Sequence, residues 1–197
     1  MFKFTTYSLI LVFSLAGCVA TTPYQPQQSV SDYSAETVER LTRYKKGEFD
    51  KVGQLSGPKI HERNSTRFGE ERVEYFLRAF VGGDGSRLVQ AYMYVRYTGE
   101  WRFYRDAKIS GGEPLRFKSI DTEVVSCGRL YNGCLHSETV GAEIPMETLS
   151  SVDGAGLRIY FGTKFSNIGN VVEFSPSYVQ GFRAKLLEVS SLKTALK

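Results

Sequence analysis

The chain is poor in histidine and cysteine, and past its N-terminal segment it has no long apolar run. Of its 197 residues, two are histidine and three are cysteine. Neither histidine belongs to a His-Glu-x-x-His metal motif, because His61-Glu62 is followed by Arg63-Asn64. No Gly-x-Ser-x-Gly nucleophile elbow is present. Gly82-Gly83-Asp84-Gly85-Ser86 lacks the lysine and the following helix of a phosphate-cradling loop, so it reads as a turn. No repeat of fixed period is visible. The formal net charge is only +4, and the basic residues are spread along the chain. That does not suggest a nucleic-acid-binding protein, whose basic residues would cluster on one face or helix. With no catalytic motif, the chain is not expected to be an enzyme.

The N-terminus carries the clearest pattern. Lys3 precedes an apolar run through Leu9-Ile10-Leu11-Val12-Phe13, followed by small residues before Cys18. A bilayer span needs about 20 apolar residues, so this shorter run reads as a secretory signal. Leu15-Ala16-Gly17-Cys18 resembles the lipobox of bacterial prolipoproteins. The resemblance implies diacylation of the Cys18 thiol, cleavage before Cys18 and acylation of the freed amine. One acyl chain binds a membrane marginally, while two or more hold it stably. No cofactor beyond this covalent lipid is expected. Val19 is not acidic, which by resemblance to sorted bacterial lipoproteins points to the outer membrane, with the protein facing the periplasm. The alternative is ordinary secretion, with Cys18 left as an odd thiol.

The expected domains are a signal peptide over 1–17, a lipidated cysteine and linker over 18–33, and one globular domain over 34–197. The linker contains Thr-Thr-Pro, Gln-Pro-Gln-Gln and Ser-Val-Ser, too polar to fold alone. Fully extended it would reach on the order of 50 Å.

Ser34 to Lys46 reads as a helix, with Ser34 as N-cap, acids early, bases late and Gly47 as its end. Glu36–Arg40 and Glu39–Arg43 are i,i+4 pairs. From Phe49 to Phe174, alternation and turn signals predict strands. One spans Glu71–Val81, Asp84-Gly85 turns the chain as a type I′ hairpin, and a second spans Leu88–Tyr97. A three-residue loop at Thr98-Gly99-Glu100 would set Tyr97 across from Trp101 and Val95 across from Phe103. Tyr92, Tyr94, Arg96, Arg102, Tyr104 and Asp106 would then share the opposite face. Further strands are expected at Leu115–Val125, Leu135–Ile144, Leu157–Phe161 and Val171–Phe174. Ser175-Pro176 opens a second helix, with Val179, Phe182, Leu186 and Val189 at helical spacing. Gly181 in that apolar sector implies close packing. The expected fold is α+β: a mostly antiparallel meander of about six to eight strands, with an N-terminal and a C-terminal helix packed on the sheet.

Cys127 and Cys134 flank a loop containing Asn132-Gly133 and read as a disulfide in an oxidising compartment. A metal site using Cys127, Cys134, His136 and Glu138 stays open, although the spacing is not that of a common zinc motif. Asp121 and Glu123 share a strand face and could serve a carboxylate hydrolase of peptidoglycan type. The leading expectation is a non-catalytic binding or assembly module, anchored to the membrane of the bacterial envelope and meeting an envelope protein. Its candidate face is Tyr92, Tyr94, Arg96, Arg102 and Tyr104, since tyrosine and arginine are enriched in interface hot spots. A hydrolase or a metal- or redox-responsive lipoprotein is the alternative.

Overall fold

A computed structural model describes residues 33–66, 69–128, 133–152, 154–165 and 169–194. The signal segment with Cys18, the linker as far as residue 32 and Asn132 lie outside the described residues.

The first helix, α1, spans Ala35–Leu41, and the Ser34 hydroxyl accepts from the Thr37 N–H at 3.2 Å. The helix ends five residues before the expected Lys46. Thr42, extended at φ −69° and ψ 123°, closes it, and both its N–H and its hydroxyl donate to the Val38 carbonyl. Arg43–Lys45 then form strand β1, with Tyr44 the more buried of the three. The Glu39–Arg43 pair therefore does not lie on one helix, and Gly47 is not the helix end. Thr42 bonds back to the last turn, and Arg43–Lys45 pair with Gln54–Ser56 of the next strand in place of further helix.

The strands that follow are β2 (Val52–Ser56), β3 (Ile60–Thr66), β4 (Gly69–Gly82), β5 (Arg87–Thr98), β6 (Tyr104–Ile109), β7 (Pro114–Gly128) and β8 (Gly133–Ile144). Helix α2 (Met146–Ser150), strands β9 (Leu157–Thr163) and β10 (Gly169–Phe174) and helix α3 (Pro176–Thr194) complete the order. The described residues form one ten-stranded, wholly antiparallel sheet in the order β1-β2-β4-β5-β8-β7-β6-β9-β10, with β3 also on β4. This exceeds the expected six to eight, because residues 43–66 hold three short strands separated by loops. Nor is it a simple meander, since β5 is flanked by β4 and β8.

Between β4 and β5, Val81 opposes Arg87, and the Gly82 carbonyl accepts from the Gly85 N–H. Among the described residues only glycines and Phe103 have positive φ, so Asp84 does not take the conformation a type I′ turn demands. Its carboxylate instead accepts from the Ser86 N–H and hydroxyl.

The register decides the faces. Val73, Tyr75, Leu77, Ala79 and Val81 of β4 lie on the buried face with Val89, Ala91, Met93, Val95 and Tyr97 of β5. Phe76 opposes Tyr92 and Phe80 opposes Leu88, which places both phenylalanines on the outer face.

The residues Val179, Phe182, Leu186 and Val189 of α3 are buried in the same core cluster. The Tyr178 hydroxyl donates to the Pro58 carbonyl at 2.7 Å and accepts from the Leu77 N–H at 3.4 Å. Here β4 changes partner from β2 to β3, and the Leu77 N–H would otherwise lack an acceptor. Gly181 lies against α1, where a Cβ would overlap the Ala35 carbonyl oxygen and stand 2.8 Å from Val38 Cβ.

The hairpin expected between β5 and Trp101–Asp106 does not form. Tyr97 opposes His136 and Val95 opposes Glu138, both on β8. The chain leaves β5 at Gly99 (φ 117°), passes through Phe103 (φ 52°) and resumes as β6, which pairs with β7 and β9. A pairing rule based on matched apolar faces cannot see that a later, longer strand competes for the same edge.

Candidate functional site

The expected Tyr/Arg face divides in two. Tyr92, Tyr94 and Arg96 remain on the outer face of β5, all partly exposed. Arg102 and Tyr104 turn to the opposite side and enter a buried polar network.

That network begins with two carboxylates, Glu71 and Glu138, which are 5% and 2% exposed. Glu138 accepts from the Tyr97 hydroxyl, the Phe103 N–H at 3.2 Å and the Tyr104 N–H at 3.1 Å. The left-handed Phe103 aims two successive N–H groups at one anion, a nest made of backbone. Burial first, then the bond to Glu138, pushes the Tyr97 hydroxyl far above its usual range, so it stays a donor.

Glu71 forms an ion pair with Arg102 and accepts from Asn170 Nδ2 at 2.7 Å. Arg102 lies over the Tyr97 ring, 4.2 Å from its centroid, and donates to the Tyr104 hydroxyl at 3.1 Å. Tyr104 in turn donates to Asn170 Oδ1. Burial alone would lower the Arg102 pKa, but the Tyr104 hydroxyl and Glu71 outweigh it and raise the pKa above its ordinary value. The network joins β4, β5, β6, β8 and β10, and its partners are mutually satisfied. It serves as an internal brace.

His136 is also buried. Its ring lies 4.2 Å from that of Trp101, and its Nδ1 has no hydrogen-bond partner among the described residues. Glu138 is held by its three donors, and Cys127 and Cys134 face each other at disulfide distance, S–S 2.03 Å. Among the described residues no group of three or more His, Cys, Asp or Glu side chains is placed to hold a metal.

The outer face carries the open chemistry. Phe76 and Tyr92 rings lie 4.8 Å apart. Arg78 lies 4.5 Å from the Tyr92 ring and 5.1 Å from Phe80, with Nε donating to Gln90 at 3.0 Å. Burial lowers the Arg78 pKa, partly offset by Tyr92.

Beside these rings a cleft of about 190 Å³ is lined by His61, Arg63, Arg72, Glu74, Tyr94 and Arg96, among others. The register accounts for it: Arg63 opposes Arg72, and Arg72 opposes Arg96, so three arginines cross β3, β4 and β5 in one row. Like charges directly opposed destabilise a sheet. Glu70 offsets part of this, at 2.6 Å from Arg72 and 3.9 Å from Arg63. Glu74 is occupied by Lys59 at 2.6 Å and His61 at 3.5 Å. Arg96 has no carboxylate partner among the described residues.

Asp121 and Glu123 lie exposed on β7, on the same outer face. No protein-family model, curated protein or solved structure matches the chain. Arg63 and Arg72 escaped the sequence reading because their alignment depends on the β3–β4 and β4–β5 registers. Only the alternation of charge and apolar residues around Arg72 pointed to an outward position.

Proposed function

We propose that this chain is a lipid-anchored lipoprotein of the bacterial envelope and a non-catalytic binding module. Cys18 carries the lipid, residues 19–33 are the tether, and the outer face of the sheet binds an envelope protein through acidic side chains beside an apolar patch. The anchor rests on Leu15-Ala16-Gly17-Cys18 and its apolar approach. The binding face rests on one observation, the Arg63–Arg72–Arg96 row next to Tyr94, Tyr92 and Phe76. Arginine recognises carboxylates with two parallel hydrogen bonds, and tyrosine supplies rigid contact area. Arginines held together against their repulsion, with one lacking an acid, favour an anion supplied from outside.

Two experiments test this reading. Cys18→Ser should abolish lipid labelling and the release of the signal peptide by the lipoprotein-specific route, because the thiol that takes the acyl chains is gone. Normal acylation of that variant removes the anchor assignment. Arg72→Glu with Arg96→Glu should cost at least tenfold in recovery of a stoichiometric partner from detergent extracts, with the thermal midpoint held within a few degrees. Tyr94→Ala should do the same more weakly. Undiminished recovery in both variants rejects this face as the binding site.

A further inference from the structure

Among the described residues, strand β7 has one open edge. Pro114 and Leu115 pair with β6, while from Arg116 to Gly128 the described pairing is with β8 alone. Residues Lys118 to Val124 are all exposed, Ile120 at 38% and Val124 at 49%. An edge of this length presents unpaired N–H and C=O groups to any strand that can align with it.

The charges along this edge are ordered. Arg116 and Lys118 come first, Asp121 and Glu123 second. Their partners on β8 are Glu143, Gly141, Thr139 and Ser137, which alternate, so all four charges lie on one face. In a regular strand, positions 118 and 121 would lie on opposite faces. A bulge between Ser119 and Asp121 inserts Ile120 and restores the shared face.

We propose that two copies of the chain join antiparallel along β7, about a two-fold axis between Ser119 and Ile120. This register sets Arg116 opposite Glu123 of the second copy and Lys118 opposite Asp121, and the symmetry repeats both pairs. Opposed residues in an antiparallel pair must share a face, and the bulge meets that requirement in both strands at once. Sliding the copies by two residues breaks both pairs, leaving only Lys118 opposite Glu123 in one direction and only Arg116 opposite Asp121 in the other. A parallel in-register alignment sets like charges against like. Charges and bulges ordinarily discourage edge pairing, so this pattern discourages foreign strands while admitting a second copy in one register. The contact is isologous, with the same edge on both sides, and it makes one sheet continuous through both copies. It does not depend on the arginine cleft.

The test uses the full-length chain in detergent, followed by native mass spectrometry and sedimentation over a range of concentrations. The wild type should dimerise. Arg116→Glu/Lys118→Glu should weaken that dimer at least tenfold, and so should Asp121→Lys/Glu123→Lys. Mixing the two variants should restore a dimer of mixed mass. Backbone amides of residues 116–123 in the wild type should gain hydrogen-exchange protection as concentration rises, a readout that needs no variant. A wild type that stays monomeric overturns the proposal. So does a folded charge-reversed variant that dimerises as tightly as wild type, or a mixture of folded variants with no recovery.

Discussion

Arg102→Ala is expected to lower the thermal midpoint by roughly 6–20 °C. Its side chain is 14% exposed and that of its partner Glu71 is 6% exposed. Removing one member of a buried ion pair leaves the other charge uncompensated, at a cost of about 3–5 kcal/mol. For a domain of this size each kcal/mol shifts the midpoint by about 2–4 °C. The loss extends further, because Arg102 also bonds Tyr104 and Asn170 and covers the Tyr97 ring. Calorimetry should show partial recovery in Arg102→Met/Glu71→Gln, where position 71 no longer carries an unpaired buried charge. The exposed Arg158–Glu173 pair, with side chains 58% and 55% exposed, is the control. Breaking it should cost no more than about 1 kcal/mol. A midpoint for Arg102→Ala within 2 °C of wild type would show that the network does not brace the fold.

Gly181→Ala should destabilise the protein, against the usual sign. Alanine in a helix interior is normally favoured over glycine by about 1 kcal/mol. Here the new methyl group would overlap the Ala35 carbonyl oxygen and crowd Val38 Cβ, which stands 2.8 Å from its position. The obstacle is helix backbone, which cannot swing aside like a flexible side chain. Overpacking of this kind costs about 1–3 kcal/mol, and Gly181→Leu should cost more, separating α1 from α3. Gln180→Ala, one residue away and exposed, should be neutral or slightly stabilising. Denaturant midpoints of the three variants decide the matter. A Gly181→Ala protein more stable than wild type would mean that the two helices do not touch there.

Strand positions were legible wherever alternation was long. The expected Leu88–Tyr97, Leu135–Ile144 and Val171–Phe174 segments fall within β5, β8 and β10. The alternation also placed Tyr92, Tyr94 and Arg96 on one face correctly, because side-chain direction along a strand is a local property. It failed for Arg102 and Tyr104. The step from Gly99 through Phe103 leaves the sheet, and Glu138 draws the Phe103 and Tyr104 N–H groups inward. That carboxylate lies 35 residues beyond Phe103 and leaves no trace in the local pattern.

The sequence by itself determined the local features. These are the Ser175 cap and apolar stripe of α3, the alternation of the long strands and the pairing of Cys127 with Cys134 at disulfide distance. Each depends on residues close to one another along the chain, whereas the crowding of Gly181 by Ala35 and Val38 comes from the docking of α1. Only the tertiary structure decided which strands are neighbours. It therefore decided that Arg63, Arg72 and Arg96 form a row, that Arg102 lies buried against Glu71, and that β7 is left with an open edge. Alternation states which face a side chain takes. It cannot name the strand beside it, because that choice is settled by competition among distant segments for the same hydrogen-bonding edge.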